Sequence, residues 1–174
     1  MDKTKIIITR EEIARRVAEL AAELSRDYKD KNPLFIGVLK GSFVFMSDLI
    51  RIMNIPVEID FIRLSSYGAC TESSGRIKVL KRLETPIKGR HVLVVEDIVD
   101  SGYTLRFLFD YLKRRKPASV KVCVLFDKPS RRETEVPVDY VGFQIPDAFV
   151  VGYGLDFGEK FRYLPDLCIL EERD

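Results

Sequence analysis

The segment from His91 to Thr104, HVLVVEDIVDSGYT, constrains this chain more than any other. Val92 to Val95 is an unbroken β-branched and aliphatic run, the pattern of a strand buried on both faces of a parallel sheet. Parallel neighbours need crossover connections, so the expected class is α/β, a twisted, mainly parallel sheet flanked by helices. Two carboxylates, Glu96 and Asp97, stand at the end of the run, where packing has no use for them. Asp100-Ser101-Gly102-Tyr103-Thr104 follows, then a helical run from Leu105 to Lys116. Strand, small-residue turn and helix N-terminus together offer free backbone N–H groups to a phosphate, and the helix dipole adds to the attraction. Gly102 permits close approach of main chain to anion, and the hydroxyls of Ser101 and Thr104 add donors. An acid inside such a cradle repels its ligand, so Asp100 needs a second task involving a cation or a transferable proton. Glu96-Asp97 at a strand's carboxyl end suits a sugar diol or a hydrated Mg²⁺. Taken singly, each acid is equally explained as a helix cap or a solvated side chain. All three beside one glycine point to a ligand.

The 174 residues suffice for one domain with a genuine core. A net charge of +2 argues against a large nucleic-acid footprint. Cys70, Cys123 and Cys168 are widely spaced, which suggests neither a zinc site nor a disulfide framework. An odd cysteine count without a signal peptide leads us to expect a reducing cytoplasm. No run approaches the roughly 20 apolar residues of a membrane span.

In chain order, Thr9-Arg10-Glu11-Glu12 reads as a capping box opening a helix to about Tyr28, with Ile13, Val17, Leu20, Leu24 and Tyr28 on its apolar face. Leu34 to Leu39 is a second buried strand, running into Lys40-Gly41-Ser42. Ser42 is expected to cap a helix from about Phe43 to Met53; by itself this turn is also explained as a capped left-handed turn with an exposed lysine. Pro56 to Leu64 and Arg76 to Leu80 alternate, and the long polar connector Ser65 to Gly75 between them is either functional or disordered. His91 lies at the end of its strand opposite the acids and is read as structural. Lys113 to Lys116 complement a helix C-terminus, with a nucleic-acid patch as the lesser alternative. Val120 to Phe126 is another apolar strand that buries Cys123. It ends in Asp127-Lys128-Pro129, which puts a lysine at the acids' edge of the sheet unless it is a plain surface side chain. From Val136 the texture turns to aromatics, glycines and short apolar pairs, an irregular lobe of turns and short strands whose closing segment ends in a short strand. Gly152 and Gly154 imitate a dinucleotide fingerprint without its spacing or its following helix.

The central stretch (apolar strand, two acids, two aliphatics, Asp, small residue, Gly, any, Thr) resembles the phosphoribosyl-pyrophosphate (PRPP) signature of the type I phosphoribosyltransferases. Leu39-Lys40-Gly41-Ser42 resembles the pyrophosphate loop of the family's purine salvage branch, and Ser66-Tyr67 its mobile lid. Phe126-Asp127-Lys128, Phe149-Val150 through Asp156, and Phe161-Arg162 are similar to the hypoxanthine-guanine members, so the likeness runs from Leu34 to Leu170 with its motifs in order. The resemblance implies one domain over 1–174 with the type I phosphoribosyltransferase fold, its core about 33–135, and a small hood lobe from the N-terminal segment and about 136–174. It implies transfer of the 5-phosphoribosyl group from PRPP to a 6-oxopurine, hypoxanthine and/or guanine, giving IMP or GMP and pyrophosphate with Mg²⁺.

The roles implied are specific. Asp100 is the catalytic base. Glu96 and Asp97 hold the ribose hydroxyls, directly or through Mg²⁺. Ser101, Gly102, Tyr103 and Thr104 bind the 5′-phosphate. Lys40, Gly41 and Arg162 face pyrophosphate. Phe149 stacks on the purine, the Val150 main chain reads its edge, Lys128 contacts its position 6, and Asp156 links a second metal to the base. A cis peptide beside Lys40 and a homodimer or homotetramer are implied too. Ser42 and Tyr103 occupy positions that vary in the family. One rival is a PRPP-sensing regulator that binds nucleotide and RNA, which should carry a broad basic face that the balanced charge does not suggest. A second keeps the enzyme and changes the base to adenine, xanthine or a pyrimidine.

Overall fold

In the computed structural model, residues 4–67 and 76–170 are described. The main sheet has six strands in the order β4-β3-β2-β5-β6-β7: β2 (Leu34–Leu39), β3 (Glu58–Tyr67), β4 (Arg76–Lys81), β5 (His91–Val99), β6 (Ser119–Asp127) and β7 (Tyr140–Gln144). Every pairing is parallel except the antiparallel β3–β4 edge. Successive side chains on the central strands serve opposite layers, which is why these strands are apolar throughout. Phe35, Leu93, Val95, Cys123 and Leu125 pack with helices α1 (Arg10–Asp27) and α2 (Phe43–Ile52). Leu34, Ile36, Val92, Val94, Val122 and Val124 pack with Leu105, Leu108 and Leu112 of α3 (Tyr103–Lys113).

The capping box forms as expected: the Thr9 N–H donates to Glu12 Oε2 at 2.8 Å, and the Glu12 N–H donates to Thr9 Oγ1 at 3.3 Å. Ser42 does not cap α2. Its backbone is already helical (φ −71°, ψ −10°), so the hydroxyl cannot fold back to the helix N-terminus. That hydroxyl is buried and finds no partner among the described residues. The peptide between Leu39 and Lys40 is cis.

Tyr140–Gln144 is one of the short strands expected after Val136, but it lies outside the lobe to which that stretch was assigned. It is the sixth strand of the main sheet, parallel to β6. The strand is short and carries Gly142, where a Cβ would lie 2.4 Å from the Leu125 carbonyl oxygen. Close backbone packing thus replaced the side-chain alternation that marks a strand.

The remaining strands, β1 (Thr4–Ile8), β8 (Val150–Val151) and β9 (Leu167–Leu170), form an antiparallel three-stranded sheet in the order β1-β9-β8. Arg10 fastens it: its N–H donates to Asp166 Oδ1 at 2.8 Å and its guanidinium lies 3.1 Å from Oδ2. At the amino ends of β5 and β6, His91 Nδ1 and Ser119 Oγ are 2.8 Å apart, in line with a structural histidine. Cys123 is buried, as expected. The backbone of Ser66 and Tyr67 belongs to β3; the rest of the expected lid, including Cys70, lies outside the described residues. Among the described residues no helix is long and apolar enough to cross a membrane.

Candidate active site

The expected ligand groups gather at the carboxyl ends of β2, β5 and β6, where open α/β sheets bind ligands. β5 continues past its apolar run to Val99, so Glu96 and Asp97 lie inside the strand rather than beyond it. Asp97 abuts the β2–α2 loop: a Cβ on Gly41 would fall 1.6 Å from Asp97 Oδ2. Burial pushes both carboxyls above the ordinary carboxylate range. The Asp97 charge raises Glu96 further, while the hydrogen bond with Glu96 and the Arg162 charge pull Asp97 back. An acid pair with Glu96 buried and Asp97 half-buried calls for a cation or for donors.

The turn after β5 builds the cradle. Gly102 sits at φ 92°, and a Cβ there would come within 3.0 Å of Arg132 Cδ and 3.1 Å of the Thr134 carbonyl oxygen. Any side chain there would be strained in that conformation and would press on both neighbours. The Ser101 carbonyl accepts from the N–H groups of Glu133 and Thr134 at 3.0 and 3.2 Å, which backs the loop with a second segment. α3 opens at Tyr103, two residues before the expected Leu105, so Tyr103 and Thr104 supply N–H groups of its first turn, which no helical carbonyl satisfies. It ends at Lys113 rather than Lys116, whose own φ of 55° cannot continue a helix. Glu96, Ile98, Asp100, Ser101, Gly102 and Thr104 line a cavity of about 60 Å³ at this point.

Asp100 faces two cations. Arg131 Nε donates to its Oδ1 at 3.2 Å, and Lys128 Nζ lies 3.9 Å from Oδ2. Lys128 is no surface lysine, since its side chain is only 8% exposed. A 3₁₀ turn over Pro129–Arg131 folds the chain back from β6, and Arg132 pairs with Asp127 while donating to the Asp100 carbonyl at 3.3 Å. Arg131 also lies 3.7 Å from Asp147, on the connection to β8. Phe149 is half exposed and meets Phe157 edge-on at 5.4 Å; Val150 beside it is buried.

The lobe carrying Asp156 closes on the β2–α2 loop. A Cβ on Gly154 would strike the Gly41 carbonyl oxygen at 2.2 Å. Arg162 donates through Nη1 to the Gly154 carbonyl at 2.7 Å and pairs through Nη2 with Asp156 Oδ1 at 2.9 Å. Its buried Nε has no acceptor among the described residues. Lys40 Nζ reaches Glu159 Oε2 at 2.9 Å. Among the described residues no three Asp, Glu, His or Cys side chains converge as a metal cluster, so Asp156 stands apart from the Glu96-Asp97 pair. Arg131, Arg132 and Glu159 were not singled out from the sequence. The only signal was charge density after Lys128 and after Asp156, which a solvated turn explains equally well.

A glycine turn after a central strand, an acid pair within that strand and a second glycine loop facing it form the arrangement that the resemblance implies for phosphoribosyl transfer. Residues 4–158 match the family model described as Phosphoribosyl transferase domain, and the chain belongs to this family. Within it, the chain is 49% identical over 170 residues to the hypoxanthine-guanine phosphoribosyltransferase of Bacillus subtilis, covering 98% of this chain and 94% of that protein. A crystal structure of a Bacillus anthracis hypoxanthine-guanine phosphoribosyltransferase superposes with a TM-score of 0.93 at 48% identity, over 98% of this chain and all of that one. The Trypanosoma cruzi hypoxanthine phosphoribosyltransferase, in complex with its product IMP, gives 0.90 at 43% identity, over 98% and 95% of the two chains.

Proposed function

We propose that this protein transfers the 5-phosphoribosyl group of PRPP to hypoxanthine, guanine or both, giving the nucleoside monophosphate and pyrophosphate. The observation that carries the reading is the pairing of a buried Lys128 with Asp100 beside the phosphate cradle. A lysine offers only donors, which match the carbonyl at position 6 of a 6-oxopurine and oppose the amino group of adenine. The relatives named above support the same choice.

In the reaction, the first-turn N–H groups of α3, with Ser101, Gly102, Tyr103 and Thr104, hold the 5′-phosphate. Glu96 and Asp97 hold the ribose hydroxyls. Lys40, Gly41 and Arg162 face the leaving pyrophosphate, with Phe149 over the purine and Val150 at its edge. As the bond at the anomeric carbon breaks, positive charge develops on the sugar, and the acids near it stabilise that charge. Asp100 takes the ring proton of the incoming purine. Ser66 and Tyr67 belong to the lid that excludes water.

The donor set fits Mg²⁺: two adjacent carboxylates, Glu96 buried and Asp97 partly so, with no third acid converging on them among the described residues, match an ion held mainly by substrate oxygens and water. Glu96 and Asp97 are its expected holders, with Asp156 at a second position. Bound there, it would offset charge on PRPP and on the leaving group. The same reading expects a cytoplasmic enzyme acting on small molecules, without nucleic acid, as a homodimer or homotetramer. Phe43 and Ile52, about half exposed along an apolar groove of about 970 Å³, favour self-association.

Incubation with PRPP, Mg²⁺ and separate purine and pyrimidine bases tests the function. IMP or GMP should form with equimolar pyrophosphate and adenine should be left unchanged. Binding of PRPP without turnover of any base would overturn it.

A further inference from the structure

We infer that Glu159 is an internal stand-in for pyrophosphate: its carboxylate holds Lys40 and Arg162 in the ligand-free site and gives way to a phosphate oxygen when ligand arrives. The inference rests on the proposed function above and concerns a residue to which that function assigns nothing. One oxygen, Oε2, lies 2.9 Å from Lys40 Nζ and 3.5 Å from Arg162 Nη2. A bridging phosphate oxygen does the same thing, joining two cations that come from different segments.

The surroundings make the exchange easy. The Glu159 side chain is 62% exposed, against 20% for Arg162, so nothing packs the carboxylate in place. Arg162 stays anchored without it, through the Gly154 carbonyl and Asp156. The Glu159 backbone is held separately: its N–H donates to Asp156 Oδ2 at 2.8 Å, and Phe157 and Lys160 exchange both their backbone hydrogen bonds at 3.1 Å. The side chain can therefore leave while the turn remains. The cations also have donor capacity that Glu159 does not use, since Arg162 Nε is buried without an acceptor among the described residues. A monoanion that satisfies part of a cation pair is a weak competitor for a polyanion that satisfies all of it. It screens the two cations from each other across the loop, and any ligand must displace it.

Titration calorimetry with pyrophosphate in excess Mg²⁺, on the wild type, Glu159→Gln and Glu159→Ala, tests this, with IMP as a ligand that carries no pyrophosphate. Both substitutions should tighten pyrophosphate by roughly two- to fivefold at low salt, the range of an exposed ion pair. The gain should shrink as salt screens the competing pair, and IMP affinity should stay as it was. In turnover, KM for PRPP should fall while kcat holds or drops, because release of pyrophosphate slows. A purely structural bridge predicts the reverse, a lower melting temperature with pyrophosphate unchanged or weaker, and that result overturns the inference, as would equal tightening of IMP. If the wild type binds no pyrophosphate, the assignment of the Lys40 loop fails and the inference fails with it. If the wild type binds it and the variants match the wild type, only the inference fails.

Discussion

Asp100 carries two cationic neighbours in the structure, yet a phosphate cradle is the last place where packing asks for an acid. The role proposed for it there is proton transfer. Asp100→Asn should lower kcat by about 10²–10⁴-fold, the usual span of general-base catalysis, while PRPP affinity holds or improves. Steady-state kinetics paired with PRPP titration checks this; a near-normal kcat would refute the role. Lys128 makes a second residue-level claim. Lys128→Ala should depress kcat/KM for hypoxanthine and guanine and narrow their margin over adenine, because the mismatched donor that penalises adenine, worth on the order of 1–3 kcal/mol, is gone. Assaying the three bases side by side decides it. The acids and Lys128 were legible in the sequence because each interrupts or ends an apolar strand, where a charge needs a reason. Arg131 and Glu159 were not. They lie in turns, where charged residues are ordinary, and only the 3₁₀ turn after β6 and the φ of 64° at Glu159 bring them to the site.

Elements were legible where the information is local. α1 begins at a capping box whose partners are three residues apart, and its stripe of Ile13, Val17, Leu20 and Leu24 is buried as its spacing predicts. The sheet that β7 joins was not, since the Gly142 close approach to Leu125 is a property of its neighbour rather than of its own pattern. Ser42 shows the opposite error: a good capping residue type, overruled by a backbone that is helical before the helix begins. The β2–α2 loop makes an element-scale prediction. In Gly41→Ala the new Cβ would overlap Asp97 Oδ2, so either the loop or the acid shifts. A displacement near 1 Å at a reacting centre costs on the order of 10²-fold in rate. We expect kcat/KM for PRPP to fall by about that factor with far less change in thermal stability, read from kinetics and melting of the same preparation.

For the molecule as a whole, the parallel sheet was foreseeable from its apolar runs, whereas the β1-β9-β8 sheet was expected only as a lobe of those segments implied by the resemblance, because its pairing joins residues far apart in sequence. The Arg10–Asp166 pair secures that sheet. Its hydrogen bonds and charge from Arg10 hold the Asp166 carboxyl below the ordinary aspartate range. A lowered folded value means that this group stabilises the fold above the ordinary aspartate range and loses that contribution as pH falls through the lowered one. Asp166→Asn should therefore be less stable than the wild type near neutrality, and the gap should close on acidification. Urea unfolding of both proteins across the acid range measures it; a gap independent of pH would mean that packing, not charge, is what Asp166 supplies.

The register Thr4 opposite Leu170 sets an order of events during synthesis. A ribosome releases the strands of the main sheet, β2 to β7, before Leu167–Leu170 has emerged, and early segments of a nascent chain fold first. β1 must wait, unpaired, until β2 to β7 have been made before its partner emerges. Asp166, which secures Arg10, leaves the ribosome just ahead of that strand. A chain stalled or cut short before β9 would keep its cradle and its acid pair but lack the strand that joins β1 to β8. The small sheet is thus assembled only after the main sheet has been made.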